Sequence, residues 1–85
     1  MNKKPVINVR FFSHLKDKAG VDAISMEIAP NSTIADLKQQ IIAAYPALDT
    51  HLTNILILIN SQIAIDEDVI PDDCTVSFMT PIGGG

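Results

Sequence analysis

Apolar and polar residues alternate in two stretches near the start of the chain. Over residues 6–12, Ile7, Val9 and Phe11 fall on one face, and Val6, Asn8, Arg10 and Phe12 on the other. Over residues 23–28, Ile24, Met26 and Ile28 alternate with Ala23, Ser25 and Glu27. A period of two predicts strands, and alternation with polar positions predicts half-buried antiparallel ones. The polar stretch 13–19 between them has room for a helical turn, stopped at Gly20, where a positive φ meets no steric penalty. After Pro30 and Asn31 the period changes. Ile34, Leu37, Ile41 and Ala44 recur at helical spacing and share one face. Thr33 stands where an N-cap belongs, and Asp36, three residues on, gives a capping box with aspartate in place of glutamate. Pro46 ends the helix, because its ring clashes with the preceding turn, and Tyr45 packs at that end.

Residues 47–54 show no period, with Leu48 and Leu52 as their anchors to the core. Ile55-Leu56-Ile57-Leu58-Ile59 is an unbroken apolar run, which predicts a central strand covered on much of both faces. Asn60-Ser61 marks a turn, residues 62–65 a short strand, 66–68 a loop, and Pro71-Asp72-Asp73 another turn. The last strand, residues 75–79, sets Val76 and Phe78 on one face and Thr75, Ser77 and Met79 on the other. One good helix among five strands predicts an α+β architecture, a mixed sheet covered by the helix on one face. The first and last strands can be central neighbours only if they run parallel, with the helix in the crossover.

The chain has 85 residues, enough for one domain and one modest core. A deep enclosed active site does not fit beside that core, so size favours a binding or carrier module over an enzyme. The net charge of −4 argues against a nucleic-acid partner. All six basic residues lie at or before Lys38. The later half is therefore acidic; most of its carboxylates read as solvated loop charges, and together they would steer a basic partner. The basic start lacks the apolar run of a signal peptide, and no apolar run is long enough for a bilayer. A cytoplasmic location with no membrane association is expected. The single cysteine, Cys74, can form neither a disulfide nor a cysteine-based metal site within the chain, and it reads as a packing residue. His14 and His51 have no ligand spacing to join them, Asp66-Glu67-Asp68 lacks EF-hand spacing, and no metal site is expected. No glycine-rich loop precedes a helix, so the chain itself is not expected to bind nucleotide.

Four stretches resemble a single family. Val9-Arg10-Phe11-Phe12 is similar to the opening strand of MoaD-type proteins, the small subunits of molybdopterin synthase. Leu58-Ile59-Asn60-Ser61 resembles their strand running into an asparagine turn. Asp72-Asp73-Cys74-Thr75-Val76-Ser77-Phe78 resembles their acidic turn and last strand, and Thr80-Pro81-Ile82-Gly83-Gly84-Gly85 their Pro-Pro-aliphatic-small-Gly-Gly end. Thr80 departs from the first proline, Asp73 from a common glycine, and Met79 from a common aromatic. ThiS, the thiazole-synthesis carrier, and archaeal ubiquitin-like modifiers share the diglycine end, while the Pro81-Ile82 pair favours the MoaD-like reading. The resemblance implies a ubiquitin-like β-grasp domain over residues 1–82 and a flexible glycine tail over 83–85. It also implies a chemistry. A MoeB-like (E1-like) adenylating enzyme uses ATP to activate the carboxylate of Gly85, a sulfur donor converts it to a thiocarboxylate, and a MoaE-like large subunit receives the sulfur for a pterin precursor. No cofactor is bound by the carrier itself, which supplies no general acid or base.

The residues add two expected sites. One is the tail, where Gly83, Gly84 and Gly85 lack Cβ atoms and can thread a narrow channel, with Pro81 stiffening its base and Ile82 between them. The other is a docking face opposite the helix, carrying Phe12, Met79 and Ile63, with Arg10 beside them; large apolar side chains on an uncovered sheet face suit a partner. Besides molybdopterin synthesis, three functions remain open at this stage: a thiazole-pathway carrier, a protein modifier joined through Gly85, and a non-catalytic adaptor with an inert tail.

Overall fold

The computed structural model describes residues 4–80; residues 1–3 and 81–85 lie outside it. Pro81, Ile82, Gly83, Gly84 and Gly85 thus fall outside the described residues, as does the boundary expected between domain and tail.

The element order is β1 (Val6–Phe11), α1 (His14–Ala19), β2 (Ala23–Glu27), α2 (Ile34–Ala44), a 3-10 helix (Pro46–His51), β3 (Leu56–Ile59), β4 (Gln62–Ile63) and β5 (Thr75–Met79). The strands form one sheet in the order β2-β1-β5-β3-β4. β1 and β5 pair in parallel, and every other pairing is antiparallel. This is the β-grasp arrangement, with β5 at the centre of the sheet.

α2 starts where its capping box requires. The Thr33 hydroxyl accepts from the Asp36 N–H at 3.3 Å, and an Asp36 carboxylate oxygen accepts from the Thr33 N–H at 3.0 Å. Two otherwise unpaired donors of the first turn are satisfied in this way. Ile34, Leu37 and Ile41 are fully buried in one cluster with Ile7, Val9, Phe11, Val76 and Phe78. The Phe11 ring lies 6.0 Å from Phe78 and 6.1 Å from Tyr45, centroid to centroid, within the range of favourable aromatic pairing. Ala44 is exposed, against expectation. The helix face turns at its C-terminal end toward Ile42 and Tyr45, which pack on the core instead.

Residues expected to be irregular are partly ordered. Pro46–His51 form the 3-10 helix, with Leu48 buried, and Leu52 just beyond it is buried too. At Gly20 the chain stops α1 with φ 80, in the left-handed region that glycine enters without strain. Asp73, found where the resembled family favours glycine, has φ 61; aspartate is one of the few other residues that tolerate this region.

The run at 55–59 differs from expectation. β3 lies second from the edge, between β5 and β4, and only Ile57 in it is buried; Leu56 and Leu58 are half-buried. The helical layer covers one face of the sheet only, so the even-numbered side chains of this run point to the other.

Candidate functional site

The uncovered face of the sheet can be followed residue by residue across the strands. Ala23, Arg10, Ser77, Leu58 and Ile63 are register partners in one row running from β2 to β4. Met79 pairs with Leu56 one row further along. Phe12 follows Phe11, the partner of Phe78, and donates its N–H to the Phe78 carbonyl at 3.0 Å, so Phe12 lies alongside Met79. The apolar members Phe12, Met79, Leu56 and Leu58 are half-buried, and Ile63 is 71% exposed. The Arg10 guanidinium stands 5.1 Å from the centre of the Phe12 ring, within cation–π range.

Phe12, Met79, Ile63 and Arg10, all expected from sequence, therefore share one face. Leu56 and Leu58 belong to it as well, and reading their run as covered on both sides hid them. With Ile57 inward, alternation turns its two neighbours outward, but the all-apolar run itself does not mark which set faces in.

Local backbone explains how Phe12 comes to stay on this face. Ser13 holds φ 57 and ψ −141, a region that costs a non-glycine residue of order 1–3 kcal/mol. This single sharp step carries the chain from Phe12 off the sheet and into α1, whose Leu15 is fully buried. At the opposite end, Asn60 takes φ 56, its side-chain oxygen accepts from the Thr75 N–H at 3.1 Å, and its own N–H donates to the Thr75 carbonyl at 2.7 Å. The asparagine turn thus clamps the start of β5. The strand that leads into Pro81 and the glycines is paired along both edges and fixed at its origin, so its end at Met79 and Thr80 has a defined place beside the apolar face.

The other titratable groups have different roles. Lys38 Nζ lies 2.7 Å from Asp66 and ties α2 to the loop after β4, while an Asp68 carboxylate oxygen accepts from the Ile65 N–H at 2.9 Å. These carboxylates order the loop. Cys74 is buried in the core. Burial pushes its thiol above the ordinary range, and the carboxylates of Asp72 and Asp73 push it the same way. Thiolate is the reactive form, so Cys74 in the native chain should resist alkylation by iodoacetamide at neutral pH and react at the free-thiol rate once denatured. Rapid native labelling would contradict this placement. His14 and His51, separate in sequence, meet in the fold with ring centroids 5.4 Å apart. Among the described residues no group of three His, Cys, Asp or Glu side chains is placed to hold a metal ion, and no helix is long and apolar enough to cross a membrane.

A protein of Chlamydomonas reinhardtii named as a molybdopterin synthase sulfur carrier subunit is 31% identical over 81 residues, covering 93% of this chain and 98% of that protein. The crystal structure of SAMP1 from Haloferax volcanii superposes with a TM-score of 0.84 at 19% identity, over 94% of this chain and 99% of that one. A chain from the complex of subunits 1 and 2 of the molybdopterin-converting factor of Helicobacter pylori superposes with a TM-score of 0.66 at 18% identity, over 94% of this chain and 99% of that one. At these identities the two structural likenesses bear on the fold, which is the ubiquitin-like β-grasp. The sequence carries the assignment further: residues 9–85 match the ThiS family, and by that match and the algal relative the chain belongs to the ThiS family.

Proposed function

We propose that this chain is the cytoplasmic sulfur carrier subunit of a molybdopterin synthase, carrying sulfur as a thiocarboxylate on Gly85. The observation that carries the reading is the open sheet face, where Phe12, Met79, Leu56, Leu58 and Ile63 lie around the central strand whose C-terminal end leads into the Pro81–Gly85 segment. The name of the 31% identical algal relative supports it. The large-subunit partner is proposed by analogy with the two-subunit complex from Helicobacter pylori.

The chemistry needs little from the folded body. A carboxylate is a poor electrophile until it is converted to a mixed anhydride. In this reading a MoeB-like enzyme joins the Gly85 carboxylate to the AMP part of ATP and releases pyrophosphate. Hydrosulfide supplied by a donor then attacks the carbonyl carbon, AMP leaves with the bonding electron pair, and a thiocarboxylate remains for transfer to a pterin precursor held by a MoaE-like large subunit, where the dithiolene is made. Water must be kept from the activated carboxyl, and a closed channel that only side-chain-free residues can enter achieves this.

Magnitudes assign the folded body its task. Ordering a backbone costs about 1–2 kcal/mol per residue, so threading Gly83, Gly84 and Gly85 alone costs several kcal/mol. A tail with no side chains cannot recover that from its own apolar contacts. Docking of the open face must offset it, and Pro81 lowers the cost by restricting the free chain.

Titration of the chain against a MoaE-like large subunit tests this. Phe12→Ala, Leu58→Ala and Met79→Ala should each weaken binding by about 1–2 kcal/mol, or roughly 5- to 30-fold, with circular dichroism unchanged. Affinities equal to that of the unaltered chain in all three variants would remove the docking face. Co-purification with a thiazole-pathway enzyme in place of the large subunit would move the chain to the other branch of the family.

A further inference from the structure

Among the strand residues on the open face of the sheet, Arg10 is the one cation. Its register partners are Ala23 on β2 and Ser77 on β5. The next row toward the start of β1 holds Asn8, Ser25 and Thr75, all uncharged. The carboxylate of that face, on Glu27, belongs to the row of Val6, about 13 Å along the strand from Ala23. The Arg10 side chain is exposed, with its guanidinium 5.1 Å from the centre of the Phe12 ring. Its N–H donors meet no acceptor among the described residues, where the ion pair is that of Lys38 with Asp66.

A partner that covers Phe12 covers this guanidinium with it, because the two groups are in contact range. In the free chain water solvates the charge. Under a docked partner that water is lost, and an unpaired charge is among the costliest groups to bury. The surrounding side chains cannot relieve it, since the neighbours of Arg10 in its row are Ala23, Ser77 and, beyond them, Leu58. The compensating group must therefore come from the partner. A carboxylate fits best, because a guanidinium presents its donors as a planar fork that matches two carboxylate oxygens. The Phe12 ring holds the group in place before contact, so less side-chain freedom is lost when the pair forms.

We infer that Arg10 is a specificity-determining residue of the docking face, and that it pairs with an aspartate or glutamate set among apolar side chains on the large subunit. The inference rests on the docking reading given under the proposed function and adds the chemistry of the partner's surface. The net charge of −4 favours a partner that is basic overall. Arg10 adds the requirement for one carboxylate at one place. An apolar face alone tolerates sliding and rotation of the partner. A single ion pair within it fixes the register and penalises partners that leave the guanidinium unpaired. The register matters here because β5, which pairs with β1 at Arg10, leads into the Pro81–Gly85 segment.

The test is calorimetric titration of the full 85-residue chain, and of its Arg10→Leu variant, against a MoaE-like large subunit. Leucine suits an exposed strand position, and circular dichroism checks that the fold is kept. If the face worked by apolar contact alone, Arg10→Leu would bind at least as tightly as the unaltered chain. The ion pair predicts weakening by roughly 30-fold or more, because the partner's carboxylate is left buried without its counter-charge. Replacing the large subunit's surface aspartates and glutamates by alanine, one at a time, completes a double-mutant cycle. One replacement should weaken binding of the unaltered chain and lose that effect against Arg10→Leu. Unchanged or tighter binding of Arg10→Leu overturns the inference, as does a scan in which no carboxylate couples to Arg10. Phe12→Ala in the same titration separates the two readings. If it still weakens binding, the docking face stands and only the ion pair falls; if it does not, or if the unaltered chain fails to bind, both fall.

Discussion

Phe78→Ala should remove about 3–5 kcal/mol of this chain's folding stability, although Phe78 lies one residue from the open face of the sheet. Its side chain is 0% exposed at the centre of the sheet, on the strand flanked by β1 and β3, and its ring lies 6.0 Å from that of Phe11. Truncating a buried phenylalanine costs about 3–5 kcal/mol, because the lost transfer energy is joined by a cavity that the surroundings only partly fill. At about 0.05–0.15 kcal/mol per residue, a domain of this length has roughly 4–13 kcal/mol in total. The substitution therefore consumes much of the stability, and at the lower end all of it. Phe12→Ala is the natural control, since its ring is half-buried on the open face and should cost only about 1 kcal/mol. Urea unfolding followed by circular dichroism compares the two. Equal midpoints would mean that the faces of β1 and β5 have been assigned wrongly.

That contrast also shows what the sequence could and could not convey. The two faces of β1 and β5 were legible because polar residues mark one of them: Asn8 and Arg10 in the first strand, Thr75 and Ser77 in the last. The capping box at Thr33 and Asp36 and the stop at Gly20 were legible because each rests on local geometry. Leu56 and Leu58 were not, because an all-apolar run carries no internal mark of which side faces solvent; that depends on whether a second layer exists, which is a property of the whole fold. Ala44 misled for a related reason: alanine fits the helical spacing yet adds too little apolar surface to decide which way the last turn faces. The meeting of His14 with His51 was invisible to spacing rules, since it depends on how the 3-10 helix packs against α1. The tail was the reverse case. Its residues were read directly from the sequence, and its proposed role rests on family membership and on the chemistry of glycine.

Removing Gly84 and Gly85 should abolish sulfur loading while leaving stability unchanged and large-subunit docking no weaker than that of the unaltered chain. An extended residue spans at most about 3.3–3.6 Å, so the shortened chain presents its carboxyl about 7 Å short of the position where activation occurs. Proximity effects in catalysis are lost over a fraction of that distance. The new terminus would also follow Ile82-Gly83, placing a branched side chain one residue from the end of the strip that must enter the channel. Loading is measured with the adenylating enzyme, ATP and a sulfur donor, and docking by the same titration used for the open-face variants. Loss of docking together with loading would show that the tail, and not the sheet face, supplies the binding energy. Loading at an undiminished rate would remove Gly85 from the chemistry.

The central claim is that the carboxyl of Gly85 is the atom group that accepts sulfur. Intact-mass spectrometry of the chain, after incubation with a MoeB-like enzyme, ATP and a sulfur donor, tests it most directly. The account predicts the gain in mass for exchange of one oxygen for one sulfur, located by fragmentation at the last residue, dependent on ATP and absent from a chain extended by one alanine beyond Gly85. An unchanged mass, or the same gain in the extended chain, would contradict it.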